Sequence, residues 1–409
     1  MTSSSGPRIA IVGAGPAGLM LARLLIQNSI SVTIYEREQS PHCRSQGGTL
    51  DLHEGSGQYA MREAGLFDEF LKYARYEGDD LVMADKTAVP LLDFRGENRQ
   101  GETRPEIDRQ DLRRILLDSV PAGCIKWDHA LYAAHPNGTL EFHTGKVEGP
   151  FDLVVGADGG RSGIRPLLTD TRPFYSGIAG FEFKIAEVEA RYPAIADFVG
   201  RGSYYCWSDG KAIQAQRLGD KSLRVYVWST KPETWAIDLH VKNPSTAVLK
   251  EILLQEFSDW SPMLQGWIKA ADDDRRPWTL YMLPTDFQWE HRPGFTLIGD
   301  AAHLMTPFSG EGVNAAFLDA VELARLIVTK NGTRSPADLD AAVVAYESAL
   351  FPRAHRTMEG TADNKRLFFR ADAPLGFVVK IQKLMQDWGT GKAETDKAEA
   401  NGTNGVACS

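Results

Sequence analysis

Thirty-six residues at the start of the chain leave few architectures open. Arg8–Val12 alternates around β-branched residues and predicts a strand. The loop Gly13-Ala14-Gly15-Pro16-Ala17-Gly18 follows at once, and Pro16–Asn28 predicts a helix, with Leu21, Leu24, Leu25 and Asn28 at i, i+3, i+4 and i+7 spacing, the first three apolar. A second strand, Ser31–Tyr35, completes a βαβ unit whose parallel strands call for a right-handed crossover. Glu36 stands 18 residues beyond Gly18, at the end of that strand. Gly13 makes the tight turn, Gly15 lets the backbone approach a pyrophosphate, Gly18 permits close helix–strand packing, and Glu36 can accept hydrogen bonds from a ribose diol. The unit predicts a site for adenosine diphosphate without telling one dinucleotide from another.

A chain of 409 residues has room for two domains, and 43% hydrophobic content suits a globular protein. A net charge of −9 argues against a nucleic-acid partner, since phosphate binding wants a basic face. Cys43, Cys124, Cys206 and Cys408 form no C-x-x-C pair, so neither a disulfide framework nor a metal site is expected. No stretch approaches the roughly 20 apolar residues of a membrane helix, and MTSSSGPR lacks the apolar core of a signal peptide. A cytoplasmic monomer without a membrane partner is the expectation. The Asn-Gly-Thr triplets at Asn137, Asn331 and Asn401 accordingly read as turns rather than glycosylation sites.

Further helices are expected at Asp111–Ser119 and Val313–Val328, and a buried strand at Phe151–Gly156. Between Gly177 and Trp289, alternating runs such as Leu223–Trp228 predict antiparallel strands with one wetted face. Asp338 to about Asp387 is helix-compatible, with breaks expected near Pro352 and Pro374. Gly389 to Ser409 has almost no large apolar side chains and is expected to be a disordered tail.

Two later motifs separate the dinucleotides. Gly156-Ala157-Asp158-Gly159-Gly160-Arg161-Ser162 follows the apolar run Leu153–Val155, and Gly299-Asp300-Ala301-Ala302-His303 follows Phe295–Ile298, with Pro307, Gly310, Gly312, Val313 and Asn314 just beyond. Asp300 can reach polyol hydroxyls there, and the glycines let main-chain N–H groups at a helix start face an anionic or carbonyl-rich ligand. In this order and spacing the three motifs resemble the single-component FAD-dependent aromatic hydroxylases of the p-hydroxybenzoate hydroxylase fold. The resemblance implies non-covalent FAD, with Asp158-Gly159 touching both FAD and the nicotinamide cofactor and the Gly299-Asp300 element on the ribityl chain.

A second set of strings is similar to the tetracycline-inactivating monooxygenases called TetX: Gly47 through Gln58 (GGTLDLHEGSGQ), Pro105 through Arg113 (PEIDRQDLR) and Glu256 through Trp260 (EFSDW). By that similarity Glu36 and Arg37 bind the adenosine end of FAD, Asp51, Arg109 and Asp300 contact the flavin, and Arg44 helps receive NADPH. Arg113, one helical turn beyond Arg109, stays open between ligand contact and pairing with an acid. On the substrate side Glu182 falls where that family has a glutamine and Arg224 where it has a histidine, which alters both charge and hydrogen-bond direction. Phe308 fits an aromatic pocket wall.

The implied fold is α/β: a Rossmann-like FAD-binding domain (1–75, 100–175 and 290–335) interrupted by a mixed β-sheet substrate domain (76–99 and 176–289), with a C-terminal helical segment (336–388) and a tail (389–409). The implied activity is NADPH- and O₂-dependent hydroxylation of a phenolic or enolic polycyclic molecule through a flavin C4a-hydroperoxide, tetracyclines among the candidates. Because the cofactor carries that chemistry, no catalytic side chain is expected. An oxygen-independent flavin dehydrogenase or reductase and a flavin-loaded binding protein remain the alternatives. His303 reads as a helix-start or flavin-neighbour residue, since no nucleophile motif accompanies it. Asp272–Arg276 reads as a solvated turn, and no W-x-W-x-I-P signature of flavin halogenases is present.

Overall fold

The computed structural model describes residues 6–41, 47–96, 104–243, 245–329 and 335–389. Its first sheet is built from strands that read as continuous apolar runs: β1 (Ile9–Val12), β2 (Val32–Tyr35), β7 (Ile125–Lys126), β11 (Leu153–Gly156) and β17 (Phe295–Leu297), in the order β17-β11-β1-β2-β7. All pairings are parallel, with Ile9 opposite both Val32 and Leu153. Such strands are buried on both faces, which is why β1 and β11 carry no polar alternation. From β1 the chain goes to β2 on one side, while β11 and β17 lie on the other. The switch of direction therefore falls at β1, and ligands of open parallel sheets bind outside the carboxyl ends at such a point.

The first helix, Pro16–Gln27, starts with Pro at its first turn, where a missing N–H costs nothing. It stops at Asn28, and Ser29 then turns the chain with φ 61°. Leu19, Met20, Leu21, Ala22 and Leu25 are wholly buried, because the helix is packed between the sheet and a second helix, Gly312–Thr329. The predicted helix near Asp111 begins earlier, at Arg109, and ends at Asp118. Arg113 donates to Glu38 Oε2 and to the Pro41 carbonyl, both at 2.7 Å, so it is an ion-paired structural residue. A ribbon of β3 (Thr49–Asp51) and β6 (Glu106–Asp108) and a small sheet of β8 (Leu131–Ala134), β9 (Leu140–Phe142) and β10 (Val147–Glu148) complete this part. Asn137-Gly138 forms the β8–β9 turn, with Asn137 Oδ1 accepting from Thr139 N at 3.1 Å.

The second large sheet has seven strands in the order β16-β12-β15-β14-β13-β4-β5, comprising β4 (Leu81–Ala84), β5 (Pro90–Asp93), β12 (Phe174–Ile185), β13 (Ser203–Ser208), β14 (Lys211–Arg217), β15 (Leu223–Thr230) and β16 (Arg275–Met282). It is mixed, because β4 runs parallel to β13. The expected wetted face is absent. Phe181, Phe183, Val225, Val227 and Ile213 pack under helices Pro193–Val199, Thr246–Glu256 and Pro262–Ala270. The opposite face, with Glu182, Gln214, Arg224, Tyr226 and Trp228, is turned toward the first sheet's loops and the C-terminal helices. The alternation is real, but its polar members Glu182, Gln214 and Arg224 are buried on the side turned toward the first sheet, the cleft side, instead of meeting bulk water. Asp272–Arg276 also departs from a plain solvated turn: Asp272 accepts from Ala186 N and pairs with Arg191, both at 2.7 Å, and the two arginines begin the edge strand β16.

The helix Pro336–Phe368 runs unbroken through Pro352, about 50 Å at 1.5 Å per residue. A proline there removes one N–H and crowds the preceding turn. Its ring is on the exposed side, while Leu350, Ala354 and Met358 keep the helix packed on the core. The break comes at Pro374, after which Leu375–Gly389 forms the last helix. The long helix joins the two sheets. Tyr346 Oη donates to the Leu297 carbonyl at 3.0 Å, and at the other end Phe368 stacks on Trp207 with ring centroids 4.2 Å apart. Among the described residues no helix is long and apolar enough to cross a membrane, and Cys124 and Cys206 are free thiols. Cys43, Cys408, the Asn331 and Asn401 triplets and, Gly389 apart, the expected tail lie outside the described residues.

Phe368→Ala removes that stack without touching the first sheet. It is expected to lower the free energy of unfolding by about 3–5 kcal/mol, read from the midpoint of chemical denaturation. A midpoint unchanged from wild type would show that the helix end is not anchored there.

Candidate active site

Four strands present their carboxyl ends to one trough. Gly13 follows β1, Glu36 follows β2, Ala157-Asp158 follows β11, and Gly299-Asp300 follows β17. Gly13 and Gly15 are glycine for different reasons. A β-carbon at Gly13 (φ +110°) would lie 2.3 Å from the Ala157 carbonyl oxygen, so the protein itself demands glycine there. At Gly15 a β-carbon would have nothing within 4 Å, and the same is true at Gly312. No neighbour among the described residues requires glycine at those two, whereas a ligand lying against them would. Gly15 caps the helix Pro16–Gln27 and Gly312 opens the helix Gly312–Thr329, so two sets of unpaired N–H groups and two positive dipole ends face the trough. Asp158 adds a buried Oδ1 with no hydrogen-bond partner among the described residues, its Oδ2 being held by Gly163 N at 2.7 Å. Open glycine flanks, helix starts and an orphaned acceptor fit a long, pyrophosphate-bearing and polyol-bearing ligand of the FAD type.

Glu36 is buried and accepts from Ala14 N at 2.7 Å and Glu38 N at 2.9 Å. A carboxylate has about four acceptor positions, so two remain for a diol. Arg37 beside it is exposed. Asp300 opens onto the trough, yet enough protein surrounds it that burial pushes its carboxyl up against the opposing pull of His303, Arg109 and Arg165. Burial also raises Asp158, with hydrogen bonds from Ser162 and Gly163 pulling the other way. Arg109 begins its helix beside Gly47 and donates its backbone N–H to the Gly48 carbonyl at 3.1 Å. Arg44 lies outside the described residues.

Asn314 has a protein-side task. Its Oδ1 takes His53 N at 2.9 Å and Gly57 N at 3.1 Å, and its Nδ2 donates to the Asp51 carbonyl at 2.9 Å and the Gly310 carbonyl at 3.2 Å. One amide thus holds the Asp51 strand end, the loop before Gln58 and the Gly310–Val313 loop together, leaving only the Asn314 backbone for a ligand. Asp51 also meets His53 Nε2 at 2.9 Å.

Two further residues hold the loops, and the motif reading passed over both. Arg165 is 2% exposed and donates to three carbonyls: Ala301 at 2.8 Å, Gly160 at 2.9 Å and Asp300 at 3.1 Å. It ties the Asp158 loop to the Asp300 loop. The available signal was a lone arginine between Ile164 and Pro166, three residues past Ser162. Asp319 is wholly buried and binds Gly299 N at 2.8 Å, His303 Nε2 at 2.6 Å and Arg353 Nη2 at 2.7 Å. No sequence spacing marks it, since its partners come from two separate stretches, the Gly299–His303 motif and the helix carrying Arg353. His303 Nε2 is therefore committed to Asp319.

The third wall is aromatic. Phe308 is buried against Phe369 (5.0 Å between ring centroids), Trp228 (6.4 Å) and Phe368 (6.5 Å). Trp228 stacks on Tyr226, and Tyr226 accepts a hydrogen bond from the Gly48 backbone. Glu182 and Arg224, expected as separate substrate contacts, are a mutual ion pair at 3.1 Å on this same face.

A glycine-lined switch point at the carboxyl ends of an open parallel sheet is a dinucleotide-binding plan. The chain belongs to the FAD binding domain family, which matches residues 7–361, and FAD is its cofactor. It is 32% identical over 426 residues to Monooxygenase penA of Penicillium thymicola, covering 90% of this chain and 97% of that one. It is an FAD-dependent monooxygenase. The fold matches that of Klebsiella pneumoniae HpxO, solved with FAD and uric acid, at a TM-score of 0.74 and 20% identity, covering 92% and 93% of the two chains. It also matches the tetracycline destructase Tet(55) at 0.67 and 21%, covering 91% and 92%.

The two glycine classes respond differently to substitution. Gly15→Val is expected to leave the fold and its circular dichroism intact while reducing FAD content at least tenfold, whereas Gly13→Ala is expected to lose the fold with the flavin. A fully flavin-loaded Gly15→Val protein would contradict this assignment.

The buried ion pair gives a pH signature. Burial disfavours protonated His303, but the Asp319 charge and hydrogen bond outweigh it and hold the imidazole above its ordinary value. Burial likewise opposes the Asp319 carboxylate, and His303 with Arg353 holds it below the usual range. The His303 contribution is complete below the unfolded imidazole value of about 6.5 and is lost as pH rises through the raised folded value. The Asp319 contribution is complete above about 3.9 and is lost as pH falls through the depressed folded value. Asp319→Asn is expected to cost ~3–5 kcal/mol between those limits, with a smaller difference outside them. Denaturant unfolding across pH measures this, and a pH-independent difference would be inconsistent with it.

Proposed function

We propose that the protein is an NADPH- and O₂-dependent hydroxylase that places one oxygen atom on an electron-rich carbon of a phenolic or enolic polycyclic molecule. The observation that carries this reading is the aromatic wall of Tyr226, Trp228 and Phe308, which meets the first sheet's loops where Tyr226 Oη lies against Gly48 and where Phe308 follows the Gly299-Asp300 motif. A flat ring system held against those side chains lies over the trough that the glycine motifs line. The similarity to a monooxygenase from a Penicillium supports oxygen insertion over an oxygen-independent dehydrogenase. Tetracyclines are one candidate, supported only by the TetX-like strings, since likeness to Tet(55) at 21% identity shows the fold alone.

FAD, once bound, would supply the redox chemistry that links NADPH and O₂ to insertion of one oxygen atom. The chain's residues bind, orient and exclude water. Gly13, Ala14, Gly15, Pro16, Ala17 and Gly18 hold the pyrophosphate, and Glu36 and Arg37 hold the adenosine end. Asp300, Gly310, Gly312, Val313 and Asn314 hold the ribityl and ring end, with Asp51 and Arg109 beside the ring. Asp158-Gly159 and Arg44 receive NADPH, an arginine suiting its phosphate through bidentate hydrogen bonds. Phe308, Glu182 and Arg224 line the substrate side. Trp207 and Phe368 close the wall behind them. In this reading residues 1–75, 100–175 and 290–335 are the FAD-binding domain and 76–99 and 176–289 the substrate domain, in a cytoplasmic monomer.

The test incubates the holoenzyme with NADPH, air and a panel of hydroxylated polycyclic compounds that includes tetracycline, and reads products by mass. The expected result is NADPH oxidation that rises with a panel member, with a product gaining one oxygen atom. Turnover that persists without O₂ would select a dehydrogenase, and no NADPH oxidation with any member would select a binding protein.

A further inference from the structure

The polar groups on the cleft face of the seven-stranded sheet raise the question of what charge the wall presents. Two of its most buried members are ionic. Glu182 on β12 is 3% exposed and Arg224 on β15 is 6% exposed, and both point to the cleft side because their neighbours Phe181, Phe183, Val225 and Leu223 fill the core beneath the helices. Glu182 Oε1 lies 3.1 Å from Arg224 Nη1, and Glu182 Oε2 accepts from Trp278 Nε1 at 2.8 Å. Both carboxylate oxygens are thus committed. Asp274 stands 3.9 Å from Arg224 at the outer end, and Arg276, opposite Glu182 in register, lies against the Trp278 ring. The two acids and two bases of this corner sum to zero.

Along β15 the pair is followed by Tyr226 and then Trp228, each about 7 Å further on the same face, and Trp228 meets Phe308. The ionic corner is therefore one end of the aromatic wall. Arg224 Nε is buried with no partner among the described residues, a donor left over once Glu182 has taken the charge. A neutral ring oxygen satisfies such a donor. A carboxylate would have to compete with Glu182 for the guanidinium and lie beside a second fixed anion.

Resting on the hydroxylase reading, we propose that Glu182 is a specificity-determining residue: by neutralising Arg224 it makes the wall select uncharged aromatic rings bearing a carbonyl or hydroxyl oxygen and exclude rings bearing a carboxylate. The substrate is then a neutral hydroxylated polycycle, and Glu182→Gln turns the same corner into a carboxylate site, because the guanidinium is released while the side-chain shape is kept.

The test measures dissociation constants for matched pairs, such as 2-naphthol with 6-hydroxy-2-naphthoate and phenol with 4-hydroxybenzoate, from perturbation of the bound flavin spectrum in the holoenzyme. Wild type is expected to favour the neutral member at least tenfold. Glu182→Gln is expected to shift that ratio toward the carboxylate by at least tenfold, and Glu182→Gln with Arg224→Gln to shift it back. Flavin content and thermal midpoint establish that each variant is folded. Should Glu182→Gln fail to fold, the wild-type ratio and the effect of Arg224→Gln decide the matter: the unmasked Glu182 charge is expected to weaken carboxylate binding, and a gain in carboxylate affinity in Arg224→Gln overturns the proposal. A wild-type preference for carboxylates, a ratio unmoved by Glu182→Gln, or no binding by any pair member overturns the proposal. NADPH oxidation and oxygen insertion by the same preparation report separately on the hydroxylase reading.

Discussion

One buried carboxylate organises the flavin side of this protein. Asp319 sits in the middle of the helix Gly312–Thr329, wholly buried, and two stretches of chain converge on it: the Gly299–His303 segment, through the Gly299 N–H and the His303 ring, and the long C-terminal helix through Arg353. An unpaired charge in such a place is prohibitively unfavourable, so the carboxylate forces its three partners into register. Gly299 adopts φ 60° and carries Asp300 to the edge of the trough. The same bond network fixes the long helix to the first sheet, and that helix in turn carries Phe368 to the second.

Arg165 performs the matching task on the neighbouring strand. Three backbone carbonyls from the β11 and β17 loops have no helix or sheet partner, and one guanidinium satisfies all of them. Planar geometry with five donors lets arginine do this where lysine would not. The trough is thus shaped by two buried ions that never face the ligand. Asn314 adds a neutral version of the same device on the far side. The residues that hold the loops are more deeply buried than the residues that line them.

Over this base stands a sheet with one face in a core and the other in a cleft. Its period-two alternation was legible in the chain, but alternation reports only that two faces differ. It does not say whether the polar face meets water, protein or ligand. The helices from Val188 to Ala270 and the C-terminal helices decide that, and they cover both faces. The unbroken helix across Pro352 has a similar lesson: a local penalty at one exposed position is overridden by packing of Leu350, Ala354 and Met358 on either side.

The βαβ start, the two later glycine–acid motifs and their order along the chain were readable without coordinates, because a backbone turn at a strand end is set by residues adjacent in sequence. The turn at Gly13, with φ 110°, and the acid at the strand end, Glu36, have local physical causes that leave local patterns, whereas the approach of Gly13 to the Ala157 carbonyl leaves none. The pairing of Glu182 with Arg224, of Asp319 with His303 and Arg353, and of Arg165 with carbonyls 135 and 136 residues away has no such pattern. Each side chain alone reads as an ordinary charged residue. Only the fold brings partners from distant strands within hydrogen-bond reach, in surroundings dry enough that burial makes the pairing obligatory.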